Sequence, residues 1–287
     1  MPEGDTVWLA GRRLHQALAG QVLLHSDFRV PALAAVDLRG RHVLAVLPRG
    51  KHLLTRIEGG LTLHTHFRMD GSWHLYRPGD RWRGGPTWQV RVVLATVDWQ
   101  AVGYRLPVVE LLPTAAERSV VGHLGPDLLG EDWDLGEAVR RLSAEPDREI
   151  GPALLDQRNL AGIGNLYKSE VLFLHGTSPW TTVSDVADLP ALAERAHRLL
   201  MANRGRFEQV TTGDSRPGRS HWVFERSGRP CWRCGTRIRQ AAQGPAQQSR
   251  LSYWCPRCQP AQAGAGPDPA PATARQPGPL GRTRYRP

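Results

Sequence analysis

Apolar and polar positions along the chain change their period twice. Over residues 3–18, Val7, Ala10, Leu14 and Leu18 recur at helical spacing, with Arg12, Arg13 and Gln16 elsewhere around the turn. A helix is expected there. Between 21 and 106 the period shortens. Apolar or alternating runs fall at 21–25, 42–47, 52–57, 61–65, 72–76, 89–97 and 101–106, and Gly59-Gly60, Pro78-Gly79 and Gly84-Gly85 punctuate them. Short strands broken by such turns predict an all-β sandwich or flattened barrel. From about 126 the helical period returns, with candidate helices at 135–143, 149–157, 165–175 and 188–203. Segment 205–220 is rich in Gly, Arg and Ser and reads as a loop. Residues 260–287 are mostly Pro, Ala, Gly and Arg, and predict a disordered basic tail. The expected architecture is α+β and multidomain. An N-terminal helix plus β-sandwich spans 1–125, a helical domain 126–220, a cysteine module 221–259 and the tail 260–287.

Composition narrows the partner. No stretch approaches the ~20 apolar residues of a membrane span. No basic segment followed by an apolar one marks the N-terminus as a secretory signal. A soluble, cytoplasmic protein is expected. The formal net charge is +10, and residues 201–287 carry fifteen Arg against four Asp and Glu. A basic C-terminal third points to a polyanion, most simply nucleic acid, although a solvated basic tail would have the same charge. Only two of the 37 basic residues are lysines, Lys51 and Lys168. Arginine serves for phosphate contacts but does not exchange protons near neutrality, whereas a lysine amine does once its pKa is lowered. Each lysine is therefore a candidate for proton chemistry, although two lysines surviving an arginine-biased composition is the plainer reading of Lys168.

The four cysteines pair as Cys231/Cys234 and Cys255/Cys258, with twenty residues between the pairs. In an intracellular chain that spacing predicts one zinc ion rather than disulfides. Four thiolates leave no open coordination position, so the metal would be structural. The intervening Arg- and Gln-rich segment is expected to form a β-hairpin.

The first residues carry a second kind of chemistry. The chain begins Met1-Pro2-Glu3-Gly4, and a small second residue permits removal of the initiator Met. Pro2 would then present a secondary amine. An α-amine has a pKa of about 7.7–8.0, so part of it is nucleophilic at neutral pH. Such an amine forms a Schiff base with a sugar C1′, and Glu3 lies close enough in sequence to exchange protons with the same sugar. Elsewhere, Gly50 permits a tight turn that would project Lys51 from the start of a strand. Gly162 and Gly164 allow a compact inter-helix turn, and Asn165 is a good N-cap for the helix that follows. Free amides at that helix start would form a phosphate site.

Four segments together resemble the formamidopyrimidine-DNA glycosylase / endonuclease VIII family, in order and spacing, over about residues 1–259. They are Pro2-Glu3-Gly4-Asp5-Thr6, Pro48-Arg49-Gly50-Lys51-His52-Leu53-Leu54, the stretch from Asp156 to Glu170, and the two cysteine pairs. The resemblance implies a bifunctional DNA glycosylase and abasic-site lyase of base excision repair, working as a monomer on damaged duplex DNA. It implies that Pro2 is the nucleophile, that Glu3 assists, and that Lys51 contacts the lesion-site phosphate and moves protons. Residues 156–170 would be the helix–two-turns–helix element, with Asn165 on the phosphate. Arg250 matches the family's finger-tip arginine, which reaches the backbone and assists the second elimination. A base must leave the stack before attack at C1′, and an apolar wedge commonly fills the gap. Met69, in His66-Phe67-Arg68-Met69-Asp70-Gly71, is the wedge candidate, or else a core methionine, with Arg68 as a DNA contact. His123 stands where relatives carry a DNA-binding Arg before Gly125-Pro126-Asp127, which is a departure. The opening and the Met69-Asp70-Gly71 loop most resemble the endonuclease VIII branch of actinobacterial type, which implies oxidised pyrimidines as substrates. Two alternatives remain open at this point. One is action on oxidised purines such as 8-oxoguanine and formamidopyrimidines. The other is a non-catalytic, zinc-dependent protein that binds damaged DNA, for which Pro2, Glu3 and Lys51 together would have no purpose.

Overall fold

The computed structural model describes residues 2–245 and 249–261. The first expected helix forms as α1 (Gly4–Leu18), with Val7, Leu14 and Leu18 buried along one face. Eight strands follow: β1 (His25–Phe28), β2 (Val43–Arg49), β3 (His52–Ile57), β4 (Leu61–His66), β5 (Ser72–Tyr76), β6 (Val90–Ala95), β7 (Gln100–Tyr104) and β8 (Val108–Pro113). They form two antiparallel four-stranded sheets, ordered β1-β6-β7-β5 and β2-β3-β4-β8. Val46, Leu53 and Leu63 of one sheet, Phe28, Val92 and Leu94 of the other, and Leu14 of α1 close a single apolar core. The expected sandwich is therefore present.

Two of its edges differ from expectation. The run at 21–25 is not a strand; Val22 makes only a bridge to His42, and β1 begins at His25. Strand β8 was not predicted, because Pro107 precedes it and Pro113 ends it. It pairs only with β4, and an edge strand tolerates proline because one side needs no donors.

The second half is helical: α2 (Arg118–Val121), α3 (Leu135–Leu142), α4 (Ile150–Leu155), α5 (Asn165–His175) and α6 (Leu189–Asn203). Local chemistry sets several of the ends. Asp134 accepts from the Glu137 amide at the start of α3, and Asp188 from the Ala191 amide at the start of α6. Gly176, in the left-handed region at φ 82°, ends α5. Every residue of α5 from Asn165 to Phe173 is buried. The expected finger hairpin forms as β9 (Arg239–Gln243) and β10 (Arg250–Trp254). Ile238, Tyr253 and Cys255 share one core with Tyr167, Leu172 and Leu192, so the finger is packed onto the helices rather than tethered to them. Apart from Pro260 and Ala261, the expected tail lies outside the described residues. Among the described residues, no helix is long and apolar enough to cross a membrane.

Candidate active site at the N-terminus

Three of the sequence motifs converge on the start of α5. The Glu3 side chain is fully buried and accepts from the Gly164 amide at 2.6 Å and the Leu166 amide at 2.8 Å. It caps a helix whose N-cap position, Gly164, lies 161 residues later in the chain. The approach requires glycine at 164, where a Cβ would lie 2.5 Å from the Glu3 carboxyl carbon. The Gly4 amide adds a 2.8 Å bond to the Gly162 carbonyl. Beside it, the buried Asp5 carboxylate accepts from the Tyr167 hydroxyl at 2.6 Å and from the Gln209 side chain at 2.9 Å.

This corrects the expected capping. Asn165 is not the N-cap; it is the first residue of α5, and the cap position is Gly164, which has no side chain. Amides expected to be open to a phosphate are occupied by Glu3. The Asn165 side chain instead donates to the Leu251 carbonyl of β10 at 2.9 Å, and its Oδ1 is buried without a partner.

Lys51 reaches the same place from the β2–β3 turn. Gly50 adopts φ 56°, and a Cβ there would meet the Ala161 Cβ at 3.1 Å. Its amide donates to Asp127 at 2.6 Å, which pins the turn to the 125–130 segment. Arg49 adds an ion pair to Asp132. Glu3 and Lys51 are close enough to perturb one another. Burial raises the Glu3 pKa above the usual carboxylate value, against the opposing effect of Lys51 and the two amides. Burial lowers the Lys51 pKa, Glu3 opposes that, and Arg250 adds to it. A carboxyl that holds its proton longer and an amine that sheds its proton sooner are better matched for proton exchange than the free groups.

The remaining expected residues surround this centre. Arg250 opens β10 and is exposed, within electrostatic reach of Lys51. Met69 is 57% exposed, which places it outside the core, and Phe67 is the buried member of its turn. Arg68 is exposed with φ 46°, and its amide donates to His66 Nδ1 at 2.9 Å. His123 is exposed and faces His52 edge-on at 6.1 Å. The four cysteine sulfurs lie within 4.8 Å of one another, with Cys231–Cys258 at 3.9 Å and Cys234–Cys255 at 3.4 Å. A tetrahedron of thiolates at ~2.3 Å from one metal has sulfur–sulfur edges of about 3.8 Å. The set therefore fits a metal ion.

Sequence reasoning missed several groups. Asp5 and Tyr167 form part of the buried cluster. Glu170, fully buried, accepts from the amides of Trp222, Val223 and Phe224 and from the Thr211 hydroxyl. His64 links Glu110 to His52, each contact 2.9 Å long. One signal for Lys168 and Glu170 was available. The segment from Leu166 to Phe173 offers no continuous polar face, so its charged residues had to be buried with partners.

Profiles of known families match in two places. The formamidopyrimidine-DNA glycosylase N-terminal domain matches residues 1–105, and the H2TH domain of the same glycosylase matches 124–202. The chain is 58% identical to a probable endonuclease 8 2 of Streptomyces coelicolor, covering 100% of this chain and 99% of that protein. It is 43% identical to the DNA-(apurinic or apyrimidinic site) lyase Nei2 of Mycolicibacterium smegmatis, over 90% of this chain and 99% of the relative. Among solved structures, Lactococcus lactis Fpg in complex with abasic-site DNA superposes with a TM-score of 0.75 at 22% identity, over 90% and 99% of the two chains.

Proposed function

The chain belongs to the formamidopyrimidine-DNA glycosylase family, in company with the endonuclease 8 proteins, and from that premise we propose that it is a bifunctional DNA glycosylase and abasic-site lyase of base excision repair. The observation that carries this reading is the burial of Glu3 on the α5 N-terminus beside Lys51. That contact holds the residue next to Pro2, which supports the reading that a flipped-out sugar meets the Pro2 amine there.

The chemistry follows from these groups. After removal of the initiator Met, the Pro2 nitrogen attacks C1′ of the damaged nucleotide. The N–C1′ bond forms as the glycosidic bond breaks, and the base leaves with a proton. Glu3, holding its proton above the usual carboxylate range, delivers it to the ring oxygen as the sugar opens to the iminium. Loss of a C2′ proton then expels the 3′ phosphate, and a second elimination expels the 5′ phosphate. Lys51, half-buried and with a lowered pKa, takes and returns protons in these steps, and Arg250 steadies the departing phosphate. A gap of one nucleotide remains, with phosphate at both ends.

Binding is assigned to residues on the rim. Met69, exposed on a tight turn, fills the space left by the flipped nucleotide, and Arg68 and His123 contact the backbone, whereas Asn165, buried and bonded to the Leu251 carbonyl, reaches a phosphate only if that bond opens. The four cysteines hold one zinc ion, which keeps the β9–β10 hairpin in shape and takes no part in the reaction. Resemblance to the endonuclease VIII branch favours oxidised pyrimidines as the excised bases. Competition between thymine glycol and 8-oxoguanine duplexes tests that preference.

Borohydride trapping tests the route. Zinc-loaded, Met-processed protein is mixed with an abasic-site duplex and reduced, beside Pro2→Gly. A covalent complex in the first and none in the second is expected. A Pro2→Gly protein that is still trapped, or that nicks at the full rate, removes Pro2 from the mechanism.

A further inference from the structure

The second lysine is not on the surface. Lys168 is fully buried one turn into α5, and its amine donates to Ser252 Oγ of β10 at 2.7 Å. Ser252 donates onward to Gln243 Oε1 of β9 at 2.6 Å. The Gln243 amide donates to Glu149 and to the Pro179 carbonyl, each at 2.8 Å. An unbroken polar chain thus runs from the middle of α5 through both hairpin strands to the loop before α4. Asn165, three residues earlier on the same helix, holds the adjacent Leu251 carbonyl. Arg250 is the next residue along the strand.

We propose that Lys168 is a positioning residue of this site: through Ser252 it locks the hairpin that carries Arg250 onto the helix whose N-terminus carries Glu3, so that the two ends of the elimination machinery keep one fixed spacing. The inference rests on the elimination chemistry set out above. A purely structural joint would be better served by an uncharged donor, because burying an ammonium costs several kcal/mol that a serine or asparagine would avoid. This chain writes all but two of its 37 basic residues as arginine. Both exceptions lie within electrostatic reach of Glu3 and Arg250. Burial brings the Lys168 pKa down to about 7, opposed by Glu3 and reinforced by Arg250. Those are the charged groups that act on the amine from the N-terminal segment and from β10, and Glu149 closes the far end of the chain. As an ammonium, Lys168 only donates, and it holds the Ser252 oxygen. As a neutral amine it also accepts, which frees the Ser252 hydroxyl to turn.

Two measurements test the assignment on full-length, zinc-loaded protein. In the first, abasic-site duplex is cut by wild type, Lys168→Met, Lys168→Arg and Ser252→Ala, and the shares of first- and second-elimination products are followed from pH 6 to pH 9. Lys168→Met and Ser252→Ala are expected to slow the second elimination about tenfold, the size of loss that a small misplacement produces. Lys168→Arg should restore it and remove its dependence on pH near 7, because arginine does not titrate there. If Lys168→Met fails to fold, Lys168→Arg and Ser252→Ala still decide. Wild-type product shares and pH profiles in the folded variants overturn the proposal. In the second, 13C-lysine labelling yields only two side-chain signals, and Lys51→Arg leaves that of Lys168 alone. Its titration midpoint should fall when Glu3→Gln is added, because the carboxylate supports the ammonium. An unmoved midpoint overturns the coupling to Glu3. This readout needs no Schiff base, so it stands or falls separately from the catalytic reading.

Discussion

Glu3 and Glu170 are both fully buried carboxylates, and each is held by backbone amides, yet the regions they organise differ in kind. Glu3 caps α5 from outside, next to Lys51 and the chain terminus. Glu170 projects from α5 itself and gathers the loop at 222–224, together with Thr211. A cation within its electrostatic reach, Arg226, is spent on the carbonyls of Trp222 and Pro230 and lies over the Trp232 ring. A buried carboxylate bonded to amides is by itself a staple. It becomes a reactive group when a titratable amine and a route to substrate lie beside it.

Substitutions should separate the two roles. Glu3→Gln keeps one acceptor for the helix start and removes the acid. Abasic-site nicking should fall about a thousandfold, while the one amide left facing the Gln NH2 group costs only about 1–2 kcal/mol of stability. Equal loss of folding would make Glu3 a staple as well. Glu170→Ala leaves three amides without an acceptor and should cost about 3 kcal/mol in denaturant unfolding, with activity per folded molecule unchanged. If the folded fraction is also inactive, the loop takes part in the chemistry.

A smaller effect is expected from acid. Burial first, then neighbouring histidines and Lys51, hold His52 down to about 3 and His66 down to about 4. An unfolded histidine takes its proton near pH 6.5 and these folded ones do not, so the unfolded state binds more protons below 6.5. Stability is therefore lost as pH falls from about 6.5 toward 4, by about 2 kcal/mol for each histidine between pH 7 and pH 5. A His52→Gln, His66→Gln double variant should flatten that slope. Smallest of all, Met69→Ala should weaken binding to an abasic duplex about fivefold and leave stability alone, since the side chain is exposed. A loss of stability instead would return Met69 to the core.

The periodic segments were legible because burial repeats with their geometry. The first helix, six of the eight sandwich strands, the larger helices and the cysteine hairpin follow directly from spacing. Strand β8 escaped because an edge strand needs neither strict alternation nor freedom from proline. In the site, Pro2, Glu3, Lys51 and the cysteines were visible as residue types that chemistry demands. Their partners were not. Asn165 in sequence reads as a cap, and only the returning N-terminus shows that Glu3 has that place. Lys168 looked like a leftover of composition because its partner, Ser252, lies 84 residues away.

The reach of Glu3 across 161 residues also has a consequence in time. A ribosome adding ~5–20 residues per second takes roughly 10–30 s to pass from Glu3 to Leu166. For most of that interval the first residues are outside the ribosome and Glu3 has no α5 amides to dock against. An aminopeptidase meets them as a loose end, before any fold closes over the Met1–Pro2 bond. On the proposed mechanism the amine is thus made before the place that would use it, and a delay in trimming would seal an extra residue into the finished molecule.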